Sequence, residues 1–349
     1  MTKQKKNIKI LLRERLYFLL EILIVFLGLF ILMLIPIYVV PLLVPEASVF
    51  YEPVYFTVRA FLAVFGIYGL LYASNFIMES QKRKLILDTD ESSAKNFLNL
   101  FTITKKNYKY QLLYGILLLF IVFIPLDFFT YLFIPDMLSY SAVSLNAAYI
   151  SQDYLTFLIS VIIIQIFVSV YEETLTRGFL TNRGVDYVSK MSSVIIASFF
   201  FGLGHYSYVF NPSVSAYPPL YPFIWFIQTF LVGIILSMFV LRKHWIFPVI
   251  FAHALNNIIS AHSIWNYLQG NDFLFMTLVL YLPLLIVGII LFIWQYSRIR
   301  DSLKIGFKEL GSYFKNDVTS GETTSIKLYR ICLDLLFGLI IFLIGVIII

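Results

Sequence analysis

The chain has 349 residues, of which 60% are hydrophobic and only 13% charged, and its mean hydropathy is +0.86. This balance excludes a soluble domain and predicts an all-α polytopic membrane protein. A net charge of +6 does not mark a nucleic-acid binder here, because the basic residues fall between apolar runs, where they act as topology signals. Cys332 is the one cysteine, so neither an intrachain disulfide nor a cysteine zinc cage is available.

A helix needs about 20 residues to cross about 30 Å of hydrocarbon. In chain order, apolar runs of that size lie at roughly 16–44, 54–78, 112–135, 154–178, 191–208, 221–241, 245–265, 273–297 and 329–349, predicting about nine transmembrane helices. The first run is too long for a secretion signal and lacks a small-residue cleavage site, so it is expected to be retained. Segments 45–53, 136–152, 207–220 and 266–272 contain no Lys or Arg, whereas Lys3, Lys5, Lys6, Lys9, Arg13 and Arg15 and the segments 82–109, 177–190, 242–243 and 298–330 hold all the other basic residues except Arg59. The positive-inside rule therefore predicts a multi-pass protein of the cell membrane with a cytoplasmic N-terminus and, for an odd span count, an outside C-terminus. Trp245 and Trp265 bracket the seventh run at an aromatic-belt spacing of about 30 Å.

Two connections on the basic side, 79–111 and 298–328, are long enough for structure of their own. In the second, Leu303, Phe307, Leu310 and Phe314 recur at helical spacing among Lys304, Lys308 and Lys315, which predicts a short helix on the inner leaflet. The chain thus divides into 1–111, a two-helix segment with its loop; 112–297, a core; and 298–349, an amphipathic linker with a last span.

Polar residues inside the apolar runs carry the functional signal, since ionisable groups at membrane depth are costly and mark function. Glu172, Glu173 and Arg177 occupy the fourth run, His205 the fifth, and His253 with Asn257 the seventh. Counted along each helix, Glu172, His205 and His253 lie about 16, 21 and 12 Å from the basic side, so the three runs offer side chains at similar depth. Glu173 and Arg177, four apart, share a helix face, whereas Glu172 points about 100° away. One carboxylate is then tethered and the other free. His253 and Asn257 also share a face and suit an oxyanion site. Glu172, His205 and His253 with a water would make a first shell for a hydrolytic Zn2+ ion, and they equally suit a metal-free site in which Glu172 and His205 polarise water. No serine or cysteine stands as an evident nucleophile.

These residues resemble the motifs of the CAAX protease and bacteriocin-processing (CPBP, or Abi) intramembrane proteases, which include the type II CAAX prenyl endopeptidases. E-E-x-x-x-R stands here as Glu172-Glu173-Thr174-Leu175-Thr176-Arg177, F-x-x-x-H as Phe201 to His205, and H-x-x-x-N as His253 to Asn257. The resemblance spans 154–264, and one departure is Thr176, where an aromatic residue often precedes the arginine. It implies a helical-bundle protease core and an intramembrane metalloendopeptidase. Its catalytic residues would be Glu172, Glu173, Arg177, His205, His253 and Asn257, with a divalent metal, Zn2+, on Glu172, His205 and His253. Implied partners are a peptide or protein substrate, prenylated or leader-bearing, and membrane lipid, with no nucleic acid. Glu172 would activate water and His253 with Asn257 would hold the oxyanion, in a cavity open toward the cytoplasm. The alternative is a non-catalytic scaffold that binds a partner protein; ion or proton transport is a weaker third, unsupported by any inverted repeat.

Other polar residues are assigned no chemistry. His244 and His262 read as helix-packing partners. Glu21, Asp127 and Asp334, near span ends or beside Pro125, read as snorkelling or locally hydrated groups. Arg59 is expected to pair with an acidic group near the outer surface, Phe201 to pack, and Gly202 and Gly204 to allow close helix approach.

Overall fold

The computed structural model describes residues 7–85, 93–145, 148–316 and 321–348, and within them the chain is helical with no strand. In order the helices are α1 Ile8–Leu43, α2 Tyr51–Leu85, α3 Ser93–Asn99, α4 Tyr108–Phe133, α5 Asp136–Ser144 and α6 Tyr154–Gly184. They continue as α7 Lys190–Tyr206, α8 Leu220–Lys243, α9 Phe247–Leu268, α10 Phe273–Trp294, α11 Tyr296–Tyr313 and α12 Thr324–Ile348. Lys3, Lys5 and Lys6 lie outside the described residues.

Among the described residues eight helices, α1, α2, α4, α6, α7, α8, α10 and α12, are long and apolar enough to cross a membrane. The remaining expected span, 245–265, is α9. Its 22 residues suffice in length, but it carries His253, Asn256, Asn257, Ser260, His262 and Ser263. It tolerates them because it packs against α4, α5 and α6 and buries its polar face inside the bundle.

Local signals set the helix ends. Asn7 caps α1 by accepting from the Ile10 amide, Ser189 caps α7 through the Ser192 amide, and Asp153 caps α6 through the amides of Leu155 and Thr156. The Thr156 hydroxyl and those amides hold the Asp153 carboxyl below its ordinary range. His244 is no packing partner: it closes α8 in the left-handed region, at φ 53°. His262 does pack as expected, against Tyr154 and Asn266. The predicted amphipathic helix is α11, which leaves Leu303 and Phe307 exposed.

Lipid provides no hydrophobic drive between helices, so close packing and internal polar contacts hold the bundle. One apolar core joins α1, α2, α6, α7 and α12, and a second joins α4, α5, α8, α9 and α10. Residues of all three predicted segments therefore share the first core. Glu21 and Asp334 are not snorkelling groups, since both are 0% exposed. Glu21 of α1 accepts from Arg183 Nε of α6 at 3.0 Å and from Ser74 of α2 at 2.7 Å, and also from the Tyr187 hydroxyl. Asp334 of α12 accepts from Arg15 of α1 and from Tyr313 at the end of α11, at 2.9 Å. Each carboxylate is buried because its arginine comes from another helix, a pairing that sequence spacing does not reveal.

Candidate active site

Glu172 and Glu173 stand where the two apolar cores meet, on the stretch of α6 that passes between α2 and α9. Immediately after them, at Thr174–Thr181, α6 widens into a π-helical turn, a feature common at functional sites and absent from the expected plain helix. Glu173 is fully buried. Its Oε1 accepts from Arg177 Nη1 at 2.9 Å and from His253 Nδ1 at 2.7 Å. A carboxylate only accepts, so this contact places the proton on His253 Nδ1 and turns Nε2 toward the site. Glu172 keeps 32% of its side chain exposed, with Oε2 3.7 Å from His253 Nε2. One tethered and one free carboxylate, as the helical spacing predicts, are thus in place.

Arg177 is enclosed on every side. Its Cζ lies 4.1 Å above the Phe201 ring, and Nη1 also donates to the Thr176 hydroxyl at 2.9 Å. That hydroxyl donates in turn to the Glu172 carbonyl at 2.6 Å. Thr176, the departure from the family pattern, is therefore part of the support for both glutamates. Phe201 packs as expected, but against a cation.

His205 lies one turn beyond Phe201. Its Nδ1 donates to the Phe201 carbonyl at 3.1 Å, which leaves Nε2 as the acceptor. The rings of His205 and His253 sit 4.8 and 6.1 Å from that of Phe201, so α6, α7 and α9 do bring Glu172, Glu173, Arg177, His205 and His253 together. Asn257, one turn past His253, is half-buried and stands apart from that hydrogen-bond network.

Glu172 and His205 line a recess of about 260 Å³ together with Tyr171, Phe200, Gly204, Ser207, Tyr208, Phe342 and Gly345. The volume suits a few water molecules or one or two side chains. Its rim is formed by the last turns of α7 and α12 and the turn Ser207–Phe210, the ends that lie on the side of the Lys- and Arg-free connections. A second recess on the basic side, lined by Asn96, Asn182, Arg183, Lys190 and His244 among others, contains none of the six predicted site residues. The recess thus lies beside the last turns of α7 and α12, at the depth of Glu172 and His205.

Glu172, His205 and His253 are the residues that would hold a divalent ion. Among the described residues, however, no three His, Cys, Asp or Glu groups are arranged to share one. His253 and His205 each keep Nε2 free, as a ligating imidazole would, but the donors do not close into a first shell, so no chemical step is derived through a metal.

Three residues set aside in the sequence take definite places. Asp127 of α4 accepts from Ser260 of α9 at 2.5 Å and from Gln228 of α8 at 3.4 Å, and so anchors α9 two turns beyond His253. Pro125, two residues earlier, gave no hint of that pairing. Arg59 of α2 lies over the ring of Tyr171, with Cζ 4.1 Å from its centroid, and not in the expected ion pair. A Cβ on Gly202 would meet the Phe226 carbonyl at 3.1 Å, as helix approach requires, whereas one on Gly204 would meet nothing within 4 Å. Gly204 therefore opens the recess and does not close a helix contact.

Residues 154–259 match the family model described as Type II CAAX prenyl endopeptidase Rce1-like. The matched segment covers α6, α7, α8 and the first half of α9, and with them all six predicted site residues. No curated protein and no solved structure matches the chain.

Proposed function

We propose that this membrane protein is an intramembrane endopeptidase in which Glu172 activates the attacking water. The observation that carries this reading is the division of labour between neighbouring carboxylates: Glu173 is spent on Arg177 and His253, while Glu172 faces the recess beside His205. A base must reach its water to act, and only Glu172 has that access.

In the proposed reaction, a water in the recess hydrogen-bonds to Glu172 and to His205 Nε2. Glu172 takes a proton as the water oxygen bonds to the scissile carbonyl carbon, and the carbonyl electron pair moves onto oxygen. The face of α9 that carries His253 and Asn257 supplies the groups for that oxyanion, with Asn257 the amide donor. When the intermediate collapses, the C–N bond breaks and Glu172 returns its proton to the leaving amine. Glu173 and Arg177 act through His253 and are positioning residues.

The substrate is a peptide or protein segment, prenylated or leader-bearing. With the basic side cytoplasmic, it reaches Glu172 from the opposite face. Detergent-purified full-length protein and its Glu172→Gln variant, tested on a panel of fluorogenic prenylated and leader-type peptides with and without chelator, test the reading. Cleavage lost in the variant and indifferent to chelator is the expected result. Chelator-sensitive cleavage would replace the metal-free scheme with a metal on Glu172, His205 and His253. Silence of both proteins across the panel would instead favour a scaffold.

A further inference from the structure

α4 lies outside the matched segment 154–259, yet it runs alongside α9, the helix that carries His253 and Asn257. Both helices begin beside basic segments, and their contacts rise in step. At Gly115 a Cβ would meet Phe251 Cδ1 at 2.8 Å and the Pro248 carbonyl at 3.3 Å, so the two helices approach closely there. Further along, α4 widens at Leu119–Phe123 into a π-helical turn. Phe123, its last residue, lies against the His253 ring, with centroids 5.9 Å apart and planes 16° from parallel. One turn beyond, Asp127 accepts from Ser260 of α9 at 2.5 Å, and the Asn256 amide of α9 lies within hydrogen-bonding reach of the same carboxyl. Gln228 of α8 adds a third donor at 3.4 Å. The fully buried carboxylates Glu21, Glu173 and Asp334 are each answered by an arginine. Asp127 is given instead to neutral donors, two of them on α9.

Those two donors fix how α9 is turned about its axis. Successive helical residues point about 100° apart, so Asn256 and Asn257 cannot both face one place. Asn256 is 7% exposed and turned to Asp127, whereas Asn257 is half-buried and shares the His253 face at i, i+4. We infer that Asp127 is a positioning residue that sets the rotation of α9, so that Asn257, and not its neighbour Asn256, is presented to the substrate carbonyl. The inference rests on the peptidase reading for what Asn257 does there, and on the α4 contacts alone for the rotation. A hydrogen bond between helices adds little to stability in a membrane, because the separated helices also find partners. An amide displaced by about 1 Å from a developing oxyanion, in contrast, costs about 10² in rate. Loss of Asp127 therefore shows in the geometry of α9 before it shows in the stability of the bundle.

The test is nitrogen NMR of the detergent-purified full-length protein, isotope-labelled at its four histidines, alongside peptide turnover. His253 and His262 ride on α9, whereas His205 belongs to α7 and His244 closes α8. In Asp127→Ala the imidazole signals of both α9 histidines are expected to shift while those of His205 and His244 stay. Asp127→Asn keeps an acceptor oxygen for Ser260 and Asn256 but removes the charge. It is expected to leave His262 at its wild-type position, which separates rotation from electrostatics. On a peptide that the wild type cleaves, Asp127→Ala should lower kcat about 10²-fold at unchanged KM, and Asp127→Asn should recover part of that loss. Asp127→Ala combined with Asn257→Ala should be no slower than Asn257→Ala alone, because both act through one amide. The inference is overturned by α9 signals that stay in place in Asp127→Ala, by a shift of all four histidines together, or by losses that simply add in the double variant. Shifted α9 signals in a protein that cleaves no peptide would leave the rotation standing and count against peptidase activity, whereas unshifted signals with full turnover would do the reverse.

Discussion

Glu172 and Glu173 are chemically identical neighbours, yet the same substitution has opposite consequences at each. Glu172→Gln removes the proposed base from a half-open position, so cleavage falls by about 10² to 10⁴ while the thermal unfolding midpoint in detergent stays where it was. Glu173→Gln strands the fully buried Arg177 without its carboxylate, and breaking a buried pair from one side costs about 3–5 kcal/mol. The double variant Glu173→Gln, Arg177→Met recovers most of that stability, because no unpaired charge is left inside, but not the activity, because the anionic acceptor that fixes the His253 tautomer is replaced by a neutral amide that can also present its N–H. Thermal unfolding and peptide turnover measured on the four proteins separate the two roles. Asn257→Ala is expected to lower kcat by about 10² to 10³ with little change in KM if its amide serves the oxyanion; equal loss in KM would give the residue a binding role. The tethered and free glutamates were legible in the sequence because i, i+4 spacing fixes which side chains meet. That His253 joins Glu173, making one network of two motifs 80 positions apart, was not, since no local rule relates α6 to α9.

At the level of the helices, the Rce1-like segment is incomplete by itself. Phe342 and Gly345 of α12 wall the recess, Arg59 of α2 stacks on Tyr171, and α1 and α12 are fastened by Arg183–Glu21 and Arg15–Asp334. Sequence placed Glu21, Arg59 and Asp334 in spans and Arg15 and Arg183 on the basic side, and it left the carboxylates as snorkelling or hydrated groups, because a single buried carboxylate looks the same in sequence whether water or a distant arginine faces it. Glu21→Ala and Asp334→Ala each leave an arginine buried and should destabilise the protein by about 3–5 kcal/mol, seen as a lower unfolding midpoint in detergent. Loss of neither in the midpoint would mean that water reaches these arginines. Gly204 tests the recess itself. Space is open around its Cβ position, so Gly204→Ala should be tolerated, whereas Gly204→Phe fills the cavity and should reduce cleavage at least about tenfold at an unchanged midpoint. A fall in stability together with activity would mean that the residue serves packing, as its motif position between Phe201 and His205 first implied.

For the molecule as a whole, orientation decides which substrates can arrive. Composition foretold an α-helical membrane protein, and charge predicts the side on which its basic loops lie, but which helices wall the site depends on packing in three dimensions. The sequence shows where each apolar run begins and not that Phe342 and Gly345 of α12 come to lie beside Glu172 and His205. With the basic loops cytoplasmic, as the positive-inside rule predicts, the rim of the recess beside the Lys- and Arg-free connections is expected to face outward, and Glu172 to meet peptide that has crossed the membrane or lies within its outer half. Single cysteines in a Cys332→Ser background read this directly in intact cells. Ser213, exposed just beyond the recess, and Ser207 on its rim should react as cysteines with a membrane-impermeant maleimide, and Ser302 on α11, exposed on the basic side, should react only after permeabilisation. The reversed pattern would turn the protein over and return its substrate to the cytoplasm. Because the labelling requires no turnover, it fixes the substrate's compartment whether or not a cleavable peptide has been found.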